Sequence, residues 1–141
     1  MSEENKAIQR RSHEDIWDKH NPDAVDEYYA SDFINHSAPP GVPADREGLK
    51  GLIAMYFDAF PDLEVTNEFE LADGDKVIIR WNARGTHTGP LGDIPATGNK
   101  IATRGISIAQ ISHGKIVGTW NESDQMDLMQ QLGIIPALEK A

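Results

Sequence analysis

The sequence predicts an α+β fold, a cone-shaped half-barrel in which a curved antiparallel sheet wraps around N-terminal helices. Three observations predict it. Leu49, Leu52, Ile53, Tyr56, Phe57 and Phe60 recur at three- and four-residue steps, the period of one helix face. From Leu63 the period falls to two: Leu63, Val65, Phe69 and Leu71 alternate with Glu64, Thr66, Glu68 and Glu70, the pattern of a strand with one apolar and one wet face. Helical segments come first and turn-linked strands follow, which is the order of an α+β chain.

The first twenty residues suit a helix with a thin apolar stripe, chiefly Ile8, Ile16 and Trp17. "NPDAVDEYYA" starts a second helix: Asn21 can cap it, Pro22 fits its first position, and Asp23 and Asp26 favour the positive end of its dipole. "DFINHSAPPGVP" reads as a short strand and a proline-rich loop, and Pro61 ends the helix that follows. After the "LEVTNEFEL" strand, "ADGDK" turns the chain. "VIIRWNARGTH" and "IATRGISIAQI" are long strands joined by "TGPLGDIPATGN"; "SHGK" makes the next turn and "IVGTWNES" the last strand. Ser123 or Asp124 caps a final short helix, with Met126, Met129 and Leu132 inward and Gly133 as its stop.

The 141 residues fit one domain spanning 1–141, and a chain of about 150 residues buries roughly 70% of its unfolded surface, so no covalent staple is needed. There is no cysteine, which excludes disulfides, a thiolate nucleophile and cysteine metal sites. The net charge of −10, with no long basic run, argues against nucleic acid as a partner. "MSEENKAIQRRS" lacks the apolar segment of a signal peptide, and no apolar run approaches the roughly 20 residues of a membrane span. The expectation is a cytoplasmic protein with no membrane partner.

Proton-transfer chemistry needs a group that titrates near neutral pH or a carboxylate whose environment is tuned. His13, His20 and His113 sit on polar segments and read as surface residues. His36 ends a short strand beside "SAPPG", and His87 sits where a long strand enters a loop, so both are candidates for catalysis as well as for loop anchoring. Asp124 is the carboxylate of most interest, since the last strand would deliver it near the mouth of the cone; a helix cap is its alternative use. Arg80 and Arg104 could pair across the sheet or bind a ligand carboxylate. The Glu64, Glu68 and Glu70 stripe reads as a solvated sheet face. No HExxH, GxGxxG or GxxxxGK[ST] motif is present, so neither metal nor nucleotide cofactor is expected.

"AFPDLEV", "RGTHTGPLGDIPATGNKI", "HGKIVGTW" and "DQMDLMQQLG" together resemble the SnoaL-like polyketide cyclase family, also called ester cyclases, over Asn5 to Gly133. That family belongs to the nuclear-transport-factor-2-like superfamily of cone-shaped α+β barrels. The resemblance implies ring closure by intramolecular aldol condensation without cofactor, with an aspartate on the last strand as acid/base and a histidine on the neighbouring strand. Aligned through "GKI" and "QLG", the aspartate's place falls on Asn121 and the histidine's on Ser107. Asparagine cannot accept a proton from a carbon acid, and serine is a poor substitute for imidazole. Asp124 matches an aspartate of the family pattern, and His36 and His87 match its histidine positions.

Two functions follow from the same residues. One is a cofactor-independent enzyme acting on a small hydrophobic carbonyl compound, with Asp124, His36 and His87 catalytic. Asn121, Ser107, Tyr56, Phe60, Trp17, Trp81 and Arg104 would then bind the substrate. The other is a non-catalytic module that holds a small apolar ligand. Epoxide-hydrolase chemistry of the limonene type and steroid-isomerase-like chemistry rank below these, since no spacing selects their residues. Apolar residues alternating on the outer sheet face, and the habit of this superfamily's sheets to pair, predict a homodimer.

Overall fold

A computed structural model describes residues 2–135. Helix α1 (Ser2–His13) runs into a π-helical turn over Glu14–Asp18, where Lys19 and Asn21 donate to carbonyls five residues back, Glu14 and Ile16. That widened turn buries Ile16 almost completely. A 3-10 turn, Pro22–Ala24, leads into the one-turn helix α2 (Val25–Tyr28); Pro22 takes the first position as expected, while Asn21 makes no side-chain cap. Strand β1 (Tyr29–Asn35) and a loop follow. Then comes α3 (Arg46–Ala59), whose N-terminus is capped by Asp45 accepting from Gly48 N at 2.9 Å, a bond worth about 1 kcal/mol.

The remaining strands are β2 (Glu64–Asp73), β3 (Lys76–Thr86), β4 (Lys100–Ser112) and β5 (Lys115–Ser123), closed by α4 (Gln125–Gln131). The sheet order is β1-β5-β4-β3-β2. Strands β2 to β5 form the expected antiparallel meander; β1 joins the β5 edge in parallel, so the sheet as a whole is mixed. The inner face carries Val77, Ile79, Ala109, Ile111 and Ile116, packed with Phe33, Ile8 and Leu49. A second apolar group gathers Phe60, Leu63, Ala83, Ile101, Leu128 and Leu132, and Trp81 packs against both.

Three local departures from simple patterning shape the molecule. The pairing of β2 with β3 shifts between Asn67 and Phe69, so the strict alternation read from the sequence reverses there. Phe69 and Leu71 therefore face out, 53% and 56% exposed, and Glu70 turns in, its side chain only 10% exposed. The expected wet stripe of Glu64, Glu68 and Glu70 is thus broken at Glu70. Next, His13 Nε2 lies 2.8 Å from the Val65 carbonyl of edge strand β2, and His20 Nε2 lies 2.8 Å from the Leu63 carbonyl just before that strand; His20 is exposed, as expected, whereas His13 is half-buried. Lastly, the Gln131 carboxamide bonds both backbone groups of Ala102: its Oε1 accepts from Ala102 N at 2.7 Å and its Nε2 donates to Ala102 O at 2.9 Å. Strand β5 pairs with β4 only as far as Gly105, and Gln131 serves as a strand partner beyond that point. Helix α4 buries Leu128 and Leu132, whereas Met126, expected inward, is 57% exposed.

Candidate functional site

Asn121 on β5 is paired with Ser107 on β4, and Ser107 with the buried Ile79 on β3, so all three side chains face inward. Trp81, one inward position along β3 from Ile79, reaches across β4. Its Nε1–H lies 3.1 Å from Ser107 Oγ and 3.2 Å from Asn121 Oδ1. The Ser107 hydroxyl donates to the same Oδ1 at 2.7 Å. The indole can cross because position 105 has no side chain: a Cβ there would stand 2.4 Å from Trp81 Cζ2 and 2.6 Å from the Glu122 carbonyl oxygen. The backbone of Asn121 is held too, donating to Ser37 Oγ at 2.8 Å where β1 has ended.

This arrangement fixes the chemistry of the Asn121 amide. Indole N–H is a donor only, so the atom it meets must be the carboxamide oxygen. With Oδ1 accepting from Trp81 and Ser107, the two N–H groups of Nδ2 have no partner among the described residues, and the side chain is exposed. The cluster presents hydrogen-bond donors and no group that takes a proton from carbon.

The loop that supplies Ser37 continues into an apolar groove of about 340 Å³ between residues 41–43 and the first half of α3, with Leu52 and Met55 in its wall. Met55 also packs against the buried cluster around Phe60 and Leu63, as do Trp17, Tyr56, Phe57 and Trp81. Trp17 meets Phe57 edge-on at 5.6 Å. Phe60 is 2% exposed and belongs to the core itself. Burial pushes the Tyr56 hydroxyl pKa upward, which keeps that group a neutral donor.

The other expected site residues are not gathered here. Asp124 caps α4, accepting from Asp127 N at 2.9 Å, and its carboxylate lies 3.6 Å from Arg104. Arg104, expected to bind substrate, alternates with the inward Gly105, so it faces outward and pairs with Asp124 and Asp127. His36 is exposed and stacks at 4.4 Å on Trp120, which alternates with Asn121 and lies on the outer face. His87 is fully buried. Thr97 N donates to its Nδ1 at 3.2 Å, which puts the ring proton on Nε2, and Nε2 has no partner among the described residues. Its backbone bonds to Asn99 and Gly98 make it the anchor of the loop between β3 and β4. Among the described residues no group of three or more His, Asp or Glu side chains could hold a metal ion.

Sequence reasoning marked Trp81 only as a substrate contact and missed Gly105 and Ser37. A glycine inside the strand pattern "TRGIS" was the signal for Gly105, since such a glycine marks close approach of another group. Nothing in the sequence marks Ser37.

Comparison with known proteins bears on this geometry. The family model described as SnoaL-like polyketide cyclase matches residues 7–132. No curated protein matches the chain. Among solved structures, TsrD from Streptomyces laurentii is 24% identical, with a TM-score of 0.85, covering 96% of this chain and 98% of that one. IdmH from Streptomyces antibioticus, named as a candidate polyketide cyclase, is 28% identical, with a TM-score of 0.77 over 92% of this chain and 98% of that one. A candidate polyketide cyclase from Bacillus cereus is 32% identical, with a TM-score of 0.73 over 85% and 74% of the two chains.

Proposed function

Since the chain belongs to the SnoaL-like polyketide cyclase family, we propose that it is a cyclase-type enzyme acting on a small hydrophobic carbonyl or polyketide-like compound, with the reacting oxygen held at Asn121. The observation that carries this reading is the saturation of Asn121 Oδ1 by Trp81 and Ser107, which leaves Nδ2 to donate. Preorganised donors aimed at a carbonyl stabilise the alkoxide character that develops on its oxygen as the substrate's own enol carbon adds to it and the enol proton passes to that oxygen. The groove beside the Ser37 loop offers apolar surface for the rest of the molecule. Asp124, His36 and His87 take no part in this reading: one is held as a cap, one stacks on the outer face and one is fully buried.

The test is kinetic, on a carbonyl substrate found by screening. Asn121→Ala, with fold checked by circular dichroism, is expected to lower kcat by about a hundredfold or more, the usual loss when one such donor is removed. Full turnover by that variant overturns the reading. A second reading, a non-catalytic module for a small apolar ligand, is favoured by the cluster itself, because neither Asn121 nor Ser107 can act as a general base. Native mass spectrometry showing a retained ligand that is never converted would select it.

We also propose that the protein is a homodimer joined through the outer sheet face. Ile34, Phe69, Leu71 and Ile106 are 45% exposed or more on that face. Exposed apolar surface in one contiguous area marks an interface more often than a free surface.

A further inference from the structure

A second cleft of about 290 Å³ lies between the end of α1 with its π-helical turn and strand β2. Two backbone irregularities build it. The shift in β2 pairing turns Glu70 inward, and the π-helical turn sets the stretch from His13 to Asp18 against the strand. Both kinds of irregularity cost regular hydrogen bonding and recur at functional sites.

The polar residues lining the cleft are Arg10, His13, Glu14, Asp18, Thr66, Asn67 and Glu70. His13 is engaged, its Nε2 at 2.8 Å from the Val65 carbonyl and 3.4 Å from Asp18 Oδ1. Glu70 is nine-tenths buried and receives Arg10 Nε on Oε1 at 3.2 Å, but its Oε2 has no donor among the described residues. A buried acceptor left without a donor destabilises the fold, and a charged one does so more strongly. A ligand that brings N–H donors removes that cost.

The charge of the wall selects the ligand. Three carboxylates, Glu14, Asp18 and Glu70, face one guanidinium and one imidazole. An anion would be repelled, and no metal-holding group of side chains exists among the described residues. We infer that this cleft is a binding site for a small organic cation carrying a primary ammonium, with Glu70 as its principal acceptor. Asn67 is the cross-strand partner of Trp81, so the cleft opens on the same inner face as Asn121, but on β2, three strands away from β5, and it is independent of the reading of Asn121.

The experiment uses the full chain and putrescine as probe, with 1,4-butanediol as an uncharged control, at 0.15 M salt to screen diffuse attraction to the acidic surface. Backbone and side-chain NMR resonances of Thr66, Asn67 and Glu70 are expected to shift saturably, with half-saturation at about 1 mM or below, a scale suited to a fragment-sized ligand. Butanediol is expected to shift none of them. Glu70→Gln should weaken binding about tenfold or more. Should that variant lose its dispersed spectrum, Glu14→Gln, at an exposed helical position, is expected to weaken binding severalfold with the fold intact. Shifts that never saturate, that spread over the whole acidic surface, or that persist unchanged in Glu70→Gln or Glu14→Gln overturn the inference.

Discussion

Trp81 decides what Asn121 can do, and it does so with one N–H. Trp81→Phe keeps a ring over Gly105 but removes the donor that selects the amide's orientation. The expected outcome is a loss of about 1 kcal/mol in binding or turnover of a carbonyl ligand, with the two side-chain amide NMR signals of Asn121 broadened in the free protein. Asp62 makes a comparable point about stability. Its carboxylate accepts from both the backbone N and the hydroxyl of Thr86, at 2.7 and 2.8 Å, and the backbone bond first, then the side-chain bond, lower its pKa. A depressed folded value means this contribution is present above the ordinary value of 3.8 and is lost as pH falls through the folded one. Asp62→Asn should therefore flatten the acid limb of a stability-versus-pH curve measured by urea melts. At this scale the sequence was legible for residue types. It was silent on hydrogen-bond partners, because Trp81 and Asn121 are forty residues apart and meet only across an intervening strand.

The elements show where periodicity suffices and where it does not. Helix α3 was legible because fourteen residues keep one face, with Asp45 as an observed cap. Strand β2 was legible as a strand but not in its facing, since a register shift at one position reverses every later side chain and leaves no compositional trace. Helix α4 was placed and capped as read, with Leu128, Met129 and Leu132 inward but without Met126. Its docking depends on Gln131, which completes the hydrogen bonds of Ala102. Gln131→Ala removes both bonds and leaves strand groups to water; a loss of about 1–2 kcal/mol in urea-melt stability is expected, with faster amide exchange at Ala102. Gln131→Glu should cost nearly as much, because a carboxylate cannot donate to the Ala102 carbonyl.

For the whole molecule, the α+β half-barrel was legible from element order, and the parallel docking of β1 on β5 was not, since strand order is a long-range property. Among the described residues no helix is long and apolar enough to cross a membrane. The outer face has consequences for assembly. Phe69→Lys combined with Ile106→Lys places charge on that face without touching the core, and is expected to convert a dimer to a monomer in sedimentation velocity at micromolar concentration. A monomeric wild-type protein under those conditions would remove the dimer from consideration.

The two histidines laid along β2 reach beyond the single molecule. A sheet edge is a template: its free carbonyls and amides can recruit a strand from another chain, and fibrillar aggregation grows by that step. The carbonyls of Val65 on β2 and of Leu63, just before it, are already occupied by imidazole rings from the same chain. A would-be recruit finds the first rungs of the ladder taken. The long-term solubility of a protein with so much apolar surface on its sheet thus rests in part on two side chains whose sequence context gave them no apparent task.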